Sequence, residues 1–187
     1  AGLAVRTDAV GNVIGRADGP VGGGKTLLVG SHFDSVSNGG RFDGVLGILV
    51  PIACMEELCR RGERPAVAVE VVAFADEEGI RFQTSFLASR ALLGRFDTAL
   101  LARRDAEGTT MEEAMRAAGL DPARAGRDPI DPASITAYVE VHIEQGPVLP
   151  GEGLALGVVT SIAGGTRHLV RLIGEAGHAG TVPMPGR

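Results

Sequence analysis

Apolar positions recur along this chain at two periods, and the switches between them mark its elements. The opening stretch "LAVRTDAVGNVIGRADG" alternates short apolar runs with Asp, Gly and Asn, the pattern of a β-hairpin. "TLLVGS" at residues 26–31 is a short apolar run that gives way to a polar, glycine-rich loop, as a buried strand does at its end. Beyond the loop the period changes. Val45, Ile48, Leu49, Ile52, Met55 and Leu58 recur at three and four, which predicts a helix from Val45 to Cys59, and Pro51 inside it removes one backbone donor and should kink it. "AVAVEVVAFA" at 66–75 is almost wholly apolar and rich in Val, as expected of a strand covered on both faces in a mainly parallel sheet. In "TTMEEAMRAAG", Thr110 and Glu113 are placed as a capping box and Gly119 as a stop. "AYVEVHI" at 137–143 reads as a further strand. Near residue 164 a double glycine precedes a new alternating run, "GGTRHLVRLIGEAGHAGT", and a domain boundary is placed there. The order of strand, helix, strand, helix, strand predicts a layered α/β domain over 1–163, followed at 164–187 by the first strand of a second domain.

Polar residues matter where the apolar runs stop. His32 and Asp34 follow the 26–31 run, with Asp43 further along the same loop, "GSHFDSVSNGGRFDG". Asp76, Glu77 and Glu78 follow the 66–75 run, and His142 and Glu144 close the 137–143 run. Open α/β sheets bind ligands at the carboxyl ends of their strands, so the three clusters converge on one candidate site. Each has a plainer reading when taken alone: a polar turn for the first, a solvated acidic loop for the second, a hydrogen-bonded core histidine for the third. Their shared position favours a metal site. Asp34 is placed to accept from the His32 nitrogen that a metal does not use. Asp43, just before the helix, can bridge two ions, and the adjacent Glu77 and Glu78 point in different directions, so one can ligate while the other stays free as a base. Two His and two carboxylates suit Zn²⁺ or a similar divalent ion, and such an ion with a nearby Glu is suited to hydrolysis of an amide or ureide.

Composition narrows the alternatives. The 187 residues are 44% hydrophobic, enough to bury a core in one domain of ordinary size or one domain and a piece of another. The net charge of −5, with no basic cluster, argues against a nucleic-acid partner. No apolar run approaches the ~20 residues that span a bilayer, and no secretory leader pattern opens the chain. Cys54 and Cys59, five apart in the helical pattern, lack the spacing of a local metal site and read as reduced core thiols of a cytoplasmic protein. "GPVGGGKT" at 19–26 matches a phosphate-binding loop, but that loop needs a helix to start at its Lys-Thr, and here a strand follows. No Ser lies in a G-x-S-x-G elbow.

Taken in order, "GSHFDSV", "GGRFDG", "ADEEGIRF", "YVEVHIEQGPVL" and "GEAGHAGTVPM" resemble the dinuclear metal amidohydrolases that include allantoate amidohydrolase and N-carbamoyl-L-amino acid hydrolase, a branch of the aminoacylase/carboxypeptidase-like metallopeptidases. The resemblance implies a three-layer α/β catalytic domain and the start of a smaller α+β lid and dimerisation domain, in a chain that looks truncated. It implies a hydrolase of linear, non-peptide C–N bonds, in which a metal-bridging water is activated by Glu77. An aminoacylase-like or peptidase-like hydrolase of the same fold, or an inactive metal-binding fragment, is the alternative. By the same resemblance His32, Asp43, Glu78 and His142 are metal ligands, with Asp43 bridging two divalent ions (Zn, or Mn, Co or Ni). Asp34 orients His32, and Gln145 and Arg167 contact substrate. His178 reaches a neighbouring active site in a homodimer and stabilises the oxyanion. A further His ligand and the Arg and Asn that hold the substrate carboxylate would lie beyond Arg187.

Overall fold

A computed structural model describes residues 2–20, 24–166 and 168–186. They form two compact units, Ala1–Gln145 and Gly146–Arg187. The first holds a five-stranded sheet of order β1-β2-β4-β3-β5, built from β1 (Ala4–Thr7), β2 (Val13–Ala17), β3 (Thr26–His32), β4 (Ala68–Phe74) and β5 (Ile135–Val139). β1 and β2 are the expected hairpin, joined antiparallel to β4. β3, β4 and β5 run parallel, so their carboxyl ends lie along one edge.

β4 sits inside the sheet and is buried at nearly every position, which is why its sequence shows no alternation. Val69 and Val71 pack with Met55, while Val72 and Phe74 pack on the opposite face with Ile14, Leu28 and Leu92. Helix α1 (Val45–Arg60) supplies the first layer through Gly47, Pro51 and Met55. Helix α2 (Leu87–Leu92) contributes Leu92 to the other. A third cluster joins Leu87, Ala88 and Ala91 to Met111 and Met115 of α3 (Met111–Ala117). α3 starts at the capping box of Thr110 and Glu113, and Gly119 follows its end at φ +78°, as the sequence predicts. Among the described residues no helix is long and apolar enough to cross a membrane.

Three expectations change. Cys54 and Cys59 are free but exposed: they follow Pro51 and Met55 by three and four residues, but only Gly47, Pro51 and Met55 of α1 are buried. β5 covers 135–139, earlier than expected. It is an edge strand exposed at most positions and paired with β3 only as far as Val29–Val139. In the second unit, α4 (Val148–Glu152) forms, but the alternating run after residue 164 is not a strand among the described residues. Leu169 and Leu172 are 94% and 93% exposed; a strand without a partner leaves its ladder unmade.

Candidate metal centre

Register places the ionisable residues at one level. His32 is the last residue of β3 and pairs with Phe74, the last of β4. Glu77 and Glu78 lie just past β4, and His142 three residues past the Val29–Val139 pair that ends the β3/β5 ladder. Asp43 enters from the loop before α1 and is 4% exposed.

Three donor atoms converge there. His32 Nε2 lies 3.3 Å from His142 Nε2, and Asp43 Oδ1 is 3.7 Å from the first and 3.4 Å from the second. Donors bound tetrahedrally at ~2.0–2.1 Å from an ion are separated by about 3.3 Å, so the three atoms fit a divalent ion of the Zn²⁺ type. The opposite ring nitrogens are committed elsewhere: His32 Nδ1 bonds the Asp34 carbonyl at 2.8 Å, and His142 Nδ1 the Ile143 carbonyl at 2.9 Å. Each such bond makes Nδ1 the donor and leaves the Nε2 lone pair for a metal. Glu77 and Glu78 form a second group with His32, their ligand atoms within 4.8 Å of one another. Burial pushes the Glu77 carboxyl above its ordinary range; His32 pulls it down, and the Glu78, Asp34 and Glu140 charges push it up again. Asp76 is raised to about 6 by burial and by the Asp34 charge.

Asp34 plays a different part from the one its spacing suggests. Its carboxylate is 3.9 Å from His32 Nδ1, and its main-chain carbonyl orients the ring instead. The carboxylate accepts the Glu77 and Glu78 N–H groups, both at 3.0 Å. One residue therefore ties the β3 exit to the β4 exit. Gly44 explains the tight glycine-rich loop: at φ +66° it adopts a conformation that costs other residues, and a Cβ there would run into the His32 carbonyl and ring.

Gln145 Nε2 donates to Asp43 Oδ1 at 3.2 Å, which brings it into the same group. His178 lies in the second unit, where its Nδ1 accepts the Gly180 N–H at 3.0 Å. Arg167 lies outside the described residues. The "GPVGGGKT" match has no helix after it, since β3 begins at Thr26.

Several residues that hold the site carry no obvious sequence signal. Asn12, fully buried, accepts the Ala75 N–H and donates to the Ala88 carbonyl and to Asp8, fixing the end of β4 just before its acids. Ser31, Tyr138 and Glu140 form a hydrogen-bonded group beside the histidines. A period of two running back from His142 through Glu140 to Tyr138 was the available hint for these.

Two imidazoles, an aspartate and two further glutamates at the carboxyl edge of a layered α/β sheet define a candidate divalent-metal centre. The pattern of peptidase family M20/M25/M40 matches residues 28–182, and the chain belongs to that family. It is 47% identical over 184 residues to the N-carbamoyl-L-amino acid amidohydrolase of Geobacillus stearothermophilus, a match covering 98% of this chain and 45% of that one. It is 46% identical over 194 residues to allantoate deiminase of Arabidopsis thaliana, covering 100% of this chain and 36% of that one. A solved hydantoinase/carbamoylase family amidase from Burkholderia ambifaria superimposes with a TM-score of 0.77 at 38% identity, over 100% of this chain and 44% of its own. The chain thus spans less than half the length of these relatives.

Proposed function

We propose that the whole protein hydrolyses a linear, non-peptide C–N bond of a ureide or N-carbamoyl amino acid, with allantoate or an N-carbamoyl-L-amino acid as substrate. The observation that carries this reading is the convergence of His32 Nε2, His142 Nε2 and Asp43 Oδ1 within 3.3–3.7 Å, with a burial-shifted Glu77 at the same strand ends. The names of the relatives point to the substrate class.

In this reading His32, Asp43 and His142 hold one ion, and Asp43 and Glu78 take part in holding a second. Divalent ions held there (Zn, or Mn, Co or Ni) would polarise the ureido carbonyl and acidify a water. Glu77 accepts the proton of the attacking water and returns it to the departing nitrogen, a role that a carboxyl with an elevated pKa serves well. Asp34 keeps Glu77 in place by accepting its N–H. Gln145 and Arg167 contact substrate. His178 stabilises the negative charge that develops on the carbonyl oxygen, acting at a neighbouring subunit of a cytoplasmic homodimer.

The test is Glu77→Gln in the full-length protein, assayed with allantoate, several N-carbamoyl-L-amino acids and a simple dipeptide. The variant should keep its metal by elemental analysis and lose about 10²–10⁴-fold in turnover. Normal turnover would remove Glu77 as the base. Preference of the unmodified protein for the dipeptide would replace the proposed substrate class with the aminoacylase-like or peptidase-like one.

A further inference from the structure

Main-chain pairing does not reach far enough to set the distance between the two histidines. The β3/β5 ladder ends at Val29 and Val139, and His32 and His142 each lie three residues further on. A side-chain bridge crosses between the two segments at that level. The Ser31 hydroxyl, fully buried, donates to Glu140 Oε1 at 2.6 Å. The Tyr138 hydroxyl lies 2.7 Å from Glu140 Oε2 and 3.0 Å from the Gly30 carbonyl. Ser31 is the neighbour of His32, and Glu140 is two residues before His142. On the other side α1 closes in at Gly47, where a Cβ would strike the Val141 carbonyl and the Ser31 side chain.

We infer that Glu140 is a positioning residue for the candidate metal centre: bonded to Ser31 and Tyr138, it holds the His142 segment against the end of β3 so that both Nε2 atoms meet at one ion. The inference rests on reading that centre as a metal site. The role is one of hydrogen bonding rather than charge. A glutamine could fill it, with its carbonyl accepting from Ser31 and its amide donating to the Tyr138 oxygen while the Tyr138 proton serves Gly30. An alanine could not, and would leave the buried Ser31 hydroxyl without its acceptor.

The experiment titrates the metal-free full-length protein with Co²⁺ and follows the visible absorption of the bound ion, for the unmodified protein and for Glu140→Ala, Glu140→Gln and Ser31→Ala. Glu140→Ala should weaken Co²⁺ binding about 10–100-fold, the range for losing a partner that supports a metal ligand, and alter the absorption bands. Glu140→Gln should restore both, and Ser31→Ala should shift both in the direction of Glu140→Ala. Unaltered affinity and bands in Glu140→Ala would overturn the inference, and so would a Glu140→Gln as weak as the alanine variant. If Glu140→Ala does not fold, Ser31→Ala decides: unaltered binding there overturns it. Hydrolysis of the substrate panel is read separately, so a protein that binds Co²⁺ as described and hydrolyses nothing refutes the proposed reaction and leaves this inference standing.

Discussion

The two sides of the candidate centre are held by different means. On the β3/β4 side, His32 and Asp43 are buried, the ladder runs to the last residue of both strands, and the Phe33 N–H extends it to the Phe74 carbonyl. There main-chain bonds and close backbone packing place the two side chains. On the β5 side the strand is exposed at most positions, the ladder stops three residues short, and side chains span the gap. Where a strand is covered on both faces the backbone can fix a ligand; where it is an edge, the task passes to hydroxyls and carboxylates. A perturbation on the first side should therefore damage both fold and site, and one on the second should damage the site more than the fold.

Gly44→Ala is the severest test of the first half of that statement. The added Cβ meets the His32 carbonyl and ring at φ +66°, so the loop must move or the imidazole must. The expected cost is about 1–3 kcal/mol of stability, read from urea unfolding, with a loss of Zn²⁺ affinity in the 10–100-fold range. Gly62→Ala is the control: its φ is +71° but nothing lies within 4 Å of the new atom. It should cost roughly 1 kcal/mol and leave affinity alone. Equal effects of the two would mean that proximity to His32 has no consequence.

Asp34→Asn probes the link between the strand exits. A carboxamide can accept only one of the Glu77 and Glu78 N–H groups and turns its NH₂ toward the other, leaving a donor unpaired at a cost of about 1–3 kcal/mol. His32 should keep its Nδ1 proton, because the bond that holds it goes to the Asp34 main-chain carbonyl. Nitrogen NMR of the imidazole reads the tautomer. A switch of the proton to Nε2 would show that the carboxylate orients the ring after all.

Asp34 also marks how far the sequence could be read. Its nearness to His32 was evident, but a spacing of two residues does not distinguish a side-chain acceptor from a main-chain one. β4 and the capping box of Thr110 were legible because each pattern has one physical cause, burial on both faces in one and reciprocal capping bonds in the other. His32, Asp43, Glu77, Glu78 and His142 were legible because ionisable groups at the ends of apolar runs are conspicuous. Ser31, Tyr138 and Asn12 were not: a serine in a strand, a tyrosine near an edge and an asparagine in a turn are ordinary, and their roles depend on partners 63 to 109 positions away. The end of β5 and the exposed cysteines were misjudged for a related reason, since periodicity shows a segment's preferred face and not whether the fold covers it.

Tyr138→Phe should have the smallest effect, and it sharpens the comparison from the exposed side. Burial, and then the bond to Glu140, push the Tyr138 phenol up, so it stays protonated and its hydroxyl is a single donor near two acceptors, the Gly30 carbonyl and Glu140. Removing it takes one hydrogen bond from a residue 46% exposed, where water can replace it, so the expected loss is near the low end of about 0.5–1.5 kcal/mol. The Ser31 bond to Glu140 survives the change, so Co²⁺ affinity should fall by less than in Ser31→Ala. A Tyr138→Phe variant that lost as much stability as Gly44→Ala would show that the edge strand supports the fold as strictly as the buried strands do, and the division between the backbone-held and side-chain-held sides would fail.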